Sequence, residues 1–274
     1  ASHMAFSIGF TARHSNGAAA SAAPAAPQNA PRKSLVDVVF AGCERVLTYY
    51  NDRFDLHQGD LVFVDGKLAG QRGRVAAVHY SFKIHVSDYK RILAVADPCV
   101  HGTFHAACGY FVTFDPAVLP PEQVTGWYLP PEDADDIVVC SGGGPDDGIC
   151  LDTLKGFSCD EGVAARGKTY YLDSRVRYLR LCDTRGYAIA EGTQSYTVEF
   201  RCEGGMIYDL LCTCPCAGSC KHELAVLLQL RDLLQTTEPH FSDAYRRSSC
   251  FTAIAQDALF FFAIQGRENA TITL

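Results

Sequence analysis

The chain has 274 residues, 48% hydrophobic and 11% aromatic, with a formal net charge of −7. That suffices for one large or two small globular domains with a buried core. No apolar run reaches the ~18 residues of a membrane-spanning helix, the start lacks the basic-then-apolar pattern of a secretory signal, and the acidic balance argues against coating nucleic acid over the whole surface.

Charge is unevenly spread. Residues 1–96 hold 11 basic and 7 acidic groups, whereas residues 97–160 hold 1 basic and 11 acidic. The acid is thus concentrated in the middle of the chain, and the flanks are free to present local basic faces. There are 13 cysteines, without the dense regular spacing of a disulfide scaffold. Those outside the cluster described below read as buried or incidental, and that cluster needs reduced thiolates, which points to the cytoplasm.

Residues 1–33 open on Ala1-Ser2-His3-Met4, which looks like a tag remnant, and continue in Ala, Ser and Pro. Such composition buries too little apolar area to offset chain entropy, so a disordered tail is expected. Residues 34–115 then carry short β-rich runs, beginning with Val36–Phe40 and Val46–Tyr50. Alternating apolar residues around a Gly-rich turn, Gly59 to Val75, describe a hairpin on a half-buried sheet. This hairpin resembles the KOW motif, which implies a small five-stranded barrel. Arg72, Arg74, Lys83, Lys90 and Arg91, interleaved with Tyr80, Phe82 and Tyr89, read as the solvated rim of that sheet.

Cys99, His101, His105 and Cys108 offer two thiols and two imidazoles within ten residues. Their spacing fits no zinc class, so the expectation is ordinary half-buried side chains rather than a second metal. Residues 116–160 hold the pairs Pro120-Pro121 and Pro130-Pro131, the acid run Glu132–Asp136 and the glycines 142–144. These break regular structure and read as an acidic linker. No Lys-Ser/Thr follows the glycines, so they are not a phosphate loop.

Residues 161–274 are expected to form a sheet plus a helix. A short helical segment over Leu151–Ala165 precedes strands at Thr169–Leu172 running into Val176–Leu181, Tyr187–Ala190 and Ser195–Arg201. In the last, Tyr196, Val198 and Phe200 point one way and Thr197, Glu199 and Arg201 the other. A leucine-striped helix is predicted from about Ser219 to Gln235. Ala258–Ile264 and Thr271–Leu274 read as a closing hairpin, a strand end suiting a natural C-terminus with no appended helicase. The fold class is therefore α+β: small barrel, acidic linker, and zinc-finger module.

Between the last strand and the helix lie Cys212, Cys214, Cys220 and His222, spaced Cys-x-Cys, five residues, Cys-x-His. Three thiolates and an imidazole this close can close a tetrahedral shell around Zn2+. The set leaves no open coordination position, so the metal reads as structural. Cys216 either replaces Cys214 or is a spare. The pattern resembles the SWIM zinc finger, and the likeness extends upstream through Arg166–Tyr171, Arg175-Val176, Ala188, Ala190, Gly192, Tyr196 and Val198. The resemblance covers roughly residues 163–235. It implies zinc held by Cys212, Cys214, Cys220 and His222, contact with DNA or with protein, and no enzymatic reaction. Arg166, Lys168, Arg175, Arg177, Arg180 and Lys221 are the candidate contacts, suited to holding phosphates without reading bases. No nucleophile motif, paired carboxylates or cofactor loop marks an enzyme. The expected function is a non-catalytic interaction protein that binds DNA or a DNA-processing partner, or else a protein adaptor without nucleic-acid binding.

Overall fold

The computed structural model describes residues 6–9, 31–43, 45–98, 100–131 and 148–263. The acid run Glu132–Asp136, the glycines 142–144, Cys99 and the final strand Thr271–Leu274 lie outside them. Two antiparallel sheets and four α-helices make up the described chain. None of these helices is long and apolar enough to cross a membrane.

Strand β1 (Phe6–Gly9) comes first and pairs far away. Next come β2 (Ser34–Phe40), β3 (Leu47–Asn51), β4 (Leu61–Val64), β5 (Arg72–His79) and β6 (Ile92–Ala96), which form a five-stranded sheet in the order β3-β2-β5-β4-β6. The β-rich run expected at Val36–Phe40 lies within β2, with Val36, Val38 and Phe40 all buried. The closed barrel expected here does not form among the described residues. Between the outer strands there is one isolated bridge, Tyr50 to Arg91, with the Tyr50 amide donating to Lys90 at 2.8 Å. Leu61 and Ala96 do not close a barrel core either. They turn outward into the larger core of the molecule.

The larger sheet takes β7 (His101–Ala107), β8 (Tyr110–Thr113), β9 (Ile149–Cys150), β10 (Val176–Cys182), β11 (Arg185–Glu191), β12 (Ser195–Glu203), β13 (Met206–Cys212) and β14 (Cys250–Ala255). With β1 it has nine strands, ordered β1-β7-β8-β14-β10-β11-β12-β13-β9. Residues 101–113, expected in the barrel, thus belong here, because β8 pairs with β14 rather than with the small sheet. Phe6–Gly9 lies within the segment expected to be a disordered tail, yet it pairs with β7, Phe6 opposite Phe104 and Gly9 opposite His101. Cys182 and Cys250 face each other across β10 and β14 and are joined as a disulfide, though 68 residues apart.

Helix α1 (Pro121–Tyr128) replaces part of the expected linker. Pro121 starts it rather than breaking it, since the first turn needs no amide from that residue. The helix sinks Trp127, 0% exposed, into the core, where its indole donates to the Asp97 carbonyl at 2.7 Å. Helix α2 (Glu161–Leu172) starts at Asp160, whose carboxylate accepts from the Val163 amide at 2.7 Å. It absorbs Thr169–Leu172, expected as a strand. Gly167 explains the fit: a Cβ there would stand 2.7 Å from Leu224, so only glycine lets α2 lie this close to the next helix.

That helix, α3 (Lys221–Ser248), runs well past the predicted stop at Gln235 and through Pro239. Beyond the proline, Phe241 packs on Phe114 and His105. Tertiary contact of this kind offsets the hydrogen bond that a mid-helix proline removes. Ser249, in the left-handed region at φ 51°, ends it, with its amide bonded to Tyr245. Helix α4 (Gln256–Ala263) takes the place of the strand expected at Ala258–Ile264. Its Phe262 stacks on Trp127 at 5.0 Å, so α1 and α4 cement the two sheets together.

Candidate metal centre

Three elements converge on one point. Strand β13 ends at Cys212, a tight turn carries Cys214, and Cys220 is the N-cap of α3 with His222 in its first turn. The three sulfurs and one imidazole nitrogen all lie within 4.8 Å of one another. Cys212, Cys214, Cys220 and His222 are 7%, 3%, 1% and 2% exposed, so the site is sealed from solvent. His222 Nδ1 stands 3.8 Å from Cys212 Sγ and 3.9 Å from Cys220 Sγ. A tetrahedral shell with Zn–S of ~2.3 Å and Zn–N of ~2.0 Å puts such ligand atoms ~3.5–3.8 Å apart. Donor set, spacing and burial therefore fit a metal ion, with Nδ1 as the imidazole ligand. Cys216 is exposed and outside the set, which settles the choice in favour of Cys214.

The helix start is built around the cluster. Cys220 Sγ accepts from the Glu223 amide at 3.4 Å, while Glu223 Oε2 accepts from the Cys220 amide at 2.8 Å. This is a reciprocal capping box with a sulfur in place of the usual hydroxyl. The hydrogen bond from Cys212, with those from His222 and the Glu223 amide, draws the Cys220 thiol well below its ordinary pKa. The same Cys220–Cys212 bond, then burial, pushes Cys212 upward. Burial raises Cys214. Glu223 is pushed up to about 7, by burial first and the neighbouring Cys220 charge second.

His222 is held in place by aromatic rings. Tyr196 stacks on it at 4.6 Å and Tyr170 meets it edge-on at 5.4 Å. Its Nε2, buried and without a hydrogen-bond partner among the described residues, points at Gly192. A Cβ at that glycine would stand 3.1 Å from Nε2 and 3.1 Å from the Tyr196 ring. Spacing alone found the ligands but missed Glu223. Its position three residues after the cap was the available signal, masked because cysteine is an unusual cap residue.

The six basic candidates divide. Arg166, Lys168 and Arg175 are exposed, and Lys221 Nζ lies 4.6 Å above the Tyr170 ring beside the metal ligands. Arg177 and Arg180 are engaged internally. The Arg177 side chain is 13% exposed and pairs with Glu191 at 3.3 Å and Asp257 at 2.7 Å. Arg180 donates to the Pro116 carbonyl at 2.7 Å and to Thr252 Oγ1 at 3.3 Å. Arg175 lies just before β10 and Arg177 falls at a register shift of that strand, so the regular alternation expected to put both on one face does not run through them.

The other possible cluster does not assemble among the described residues. His105 packs at a tilt on Phe241 at 4.5 Å, and Cys108 donates to Thr236 Oγ1 at 3.2 Å. His101 is exposed. Comparison with protein-family profiles, curated proteins and solved structures finds no match for this chain.

Proposed function

We propose that the chain is a non-catalytic zinc-binding interaction protein of SWIM type, which contacts DNA or a DNA-processing protein through the surface beside the metal. The observation that carries this reading is the closed, buried Cys3His set. Four protein ligands saturate a tetrahedral zinc and leave no position for a reacting water, the arrangement of a structural rather than a catalytic ion. Three thiolates, one neutral imidazole and Zn2+ would carry a net negative charge at the positive end of the α3 dipole, which stabilises the start of the helix. The ion would then tie β13 to α3 and set the position of Lys221.

The exposed Arg166, Lys168 and Arg175, with Lys221 over the Tyr170 ring beside them, are the candidates to meet phosphates. The test is a duplex-DNA titration at two salt concentrations, using zinc-loaded wild type and an Arg166→Glu/Lys221→Glu double variant. Affinity that drops steeply with salt in the wild type and is lost in the variant supports DNA contact. A specific observation favours the second reading, a protein adaptor: Arg177 and Arg180 are already spent inside the fold, and the net charge is −7. Absence of DNA binding at low salt, with capture of a polymerase or helicase, selects the adaptor.

A further inference from the structure

The C-terminal half of α3 passes beyond the metal centre and bridges the ends of β8 and β14. Beneath it lies a cavity of about 310 Å3 that the metal site does not use. Each water takes ~30 Å3 in the liquid, so the space suits a small organic molecule rather than one or two solvent molecules. It is half open to solvent, and its apolar lining is Phe114, Phe241, Phe251, Tyr245 and Leu234. Phe114 holds the rings together, 5.6 Å from Phe241 and 6.4 Å from Phe251.

The polar groups differ from one end to the other. Arg246 is engaged by Ser242 Oγ at 3.3 Å and by the Asp243 carboxylate at 3.5 Å. Glu238, also at the cavity, has no ion pair among the described residues. Eight residues of helix separate Glu238 from Arg246, about 12 Å along the axis. Thr237 spends its hydroxyl on the Leu233 carbonyl at 2.7 Å. On the far side of Phe241, burial holds His105 below its ordinary pKa, and the His240 ring lies 6.3 Å from Phe241 at its edge.

We propose that this cavity binds a small free organic cation bearing a methylated ammonium group, seated on the aromatic rings at the Glu238 end. A quaternary ammonium has no N–H and asks for no acceptor, which matches walls with few available polar atoms. Its methyl groups bury well against phenyl rings. Its charge is attracted both by the ring faces and by the Glu238 carboxylate. At the Glu238 end, away from Arg246, an anion would meet an unpaired carboxylate, and a neutral ligand would gain nothing from it. This site is independent of the metal and of any nucleic-acid contact.

Three probes of nearly one shape separate these cases: choline (cationic), 3,3-dimethylbutan-1-ol (neutral) and 3,3-dimethylbutanoate (anionic). Each is titrated into the full chain with side-chain shifts followed by NMR. The expected order is choline tightest, the alcohol about tenfold weaker and the carboxylate weakest. Glu238→Gln should weaken choline several-fold and leave the alcohol unchanged. Phe241→Leu, which keeps an apolar side chain but removes the ring, should cost choline more than the alcohol. Equal binding of all three, tightest binding of the carboxylate, or no saturable choline binding overturns the proposal. Glu238→Gln tests it without disturbing the packed rings, so the proposal does not depend on Phe241→Leu folding.

Discussion

Arg72 and Glu191 meet at 3.1 Å although 119 residues separate them. One belongs to the small sheet and the other to the large one. The Arg72 guanidinium also lies 4.4 Å over the Tyr128 ring and 5.0 Å from the Phe262 ring. Glu191 in turn takes Arg177 at 3.3 Å. The two sheets are thus joined by a partly buried charge network laid over aromatic rings.

Removing one member should therefore cost more than a surface pair does. Arg72→Ala and Glu191→Gln are each expected to lower unfolding free energy by about 1–3 kcal/mol in urea titrations. The double variant should fall short of the sum by about 0.5 kcal/mol or more. Strict additivity would mean that the pair does not couple the sheets.

Metal content should follow the ligand set. Wild type is expected to retain one zinc per chain through dialysis, by elemental analysis. Cys220→Ser should lose both the ion and the circular-dichroism signal of the start of α3, whereas Cys216→Ser should keep both. Full retention by Cys220→Ser would refute the assignment.

Gly192 should matter to the metal without touching it. A Cβ there stands 3.1 Å from both His222 Nε2 and Tyr196, so the imidazole must tilt out of its stacked position. Disturbing such a supporting contact typically costs ~10–100-fold in metal affinity. Gly192→Ala is expected near the lower figure by chelator competition. Gly126→Ala, whose Cβ would meet nothing within 4 Å, should leave metal affinity unchanged. Equal affinities for the two variants would remove the role given to Gly192.

Acid sensitivity should have a source in the small sheet. His79 Nε2 lies 2.8 Å from Asp37, and this hydrogen bond, with that from Thr48, holds the Asp37 carboxyl below its ordinary pKa. A depressed folded pKa adds stability that is complete above the unfolded value of ~3.9 and is lost as pH falls through the folded value. Asp37→Asn should flatten the stability profile below about pH 4. An unchanged acid limb, read from denaturation midpoints across pH, would show that the pair carries no linkage.

Local pattern and long-range pairing divided the rest. The four metal ligands were legible because they lie within eleven residues of chain, where spacing alone brings them near one another. The alternation of β12 and the leucine stripe of α3 were legible for the same reason, since periodicity is a property of neighbours. Tertiary structure decided whatever depends on distant partners. It turned Thr169–Leu172 into helix by docking α2 on α3 at Gly167. It carried α3 through Pro239 to reach Phe114, and took residues 101–113 from the small sheet to pair with β14. It spent Arg177 and Arg180 inside the fold while leaving Arg166, Lys168, Arg175 and Lys221 at the surface. A side chain's role depends on which remote groups share its space. A one-dimensional pattern carries the tendency to bury or to pair, whereas the choice of partner is made only when the whole core closes.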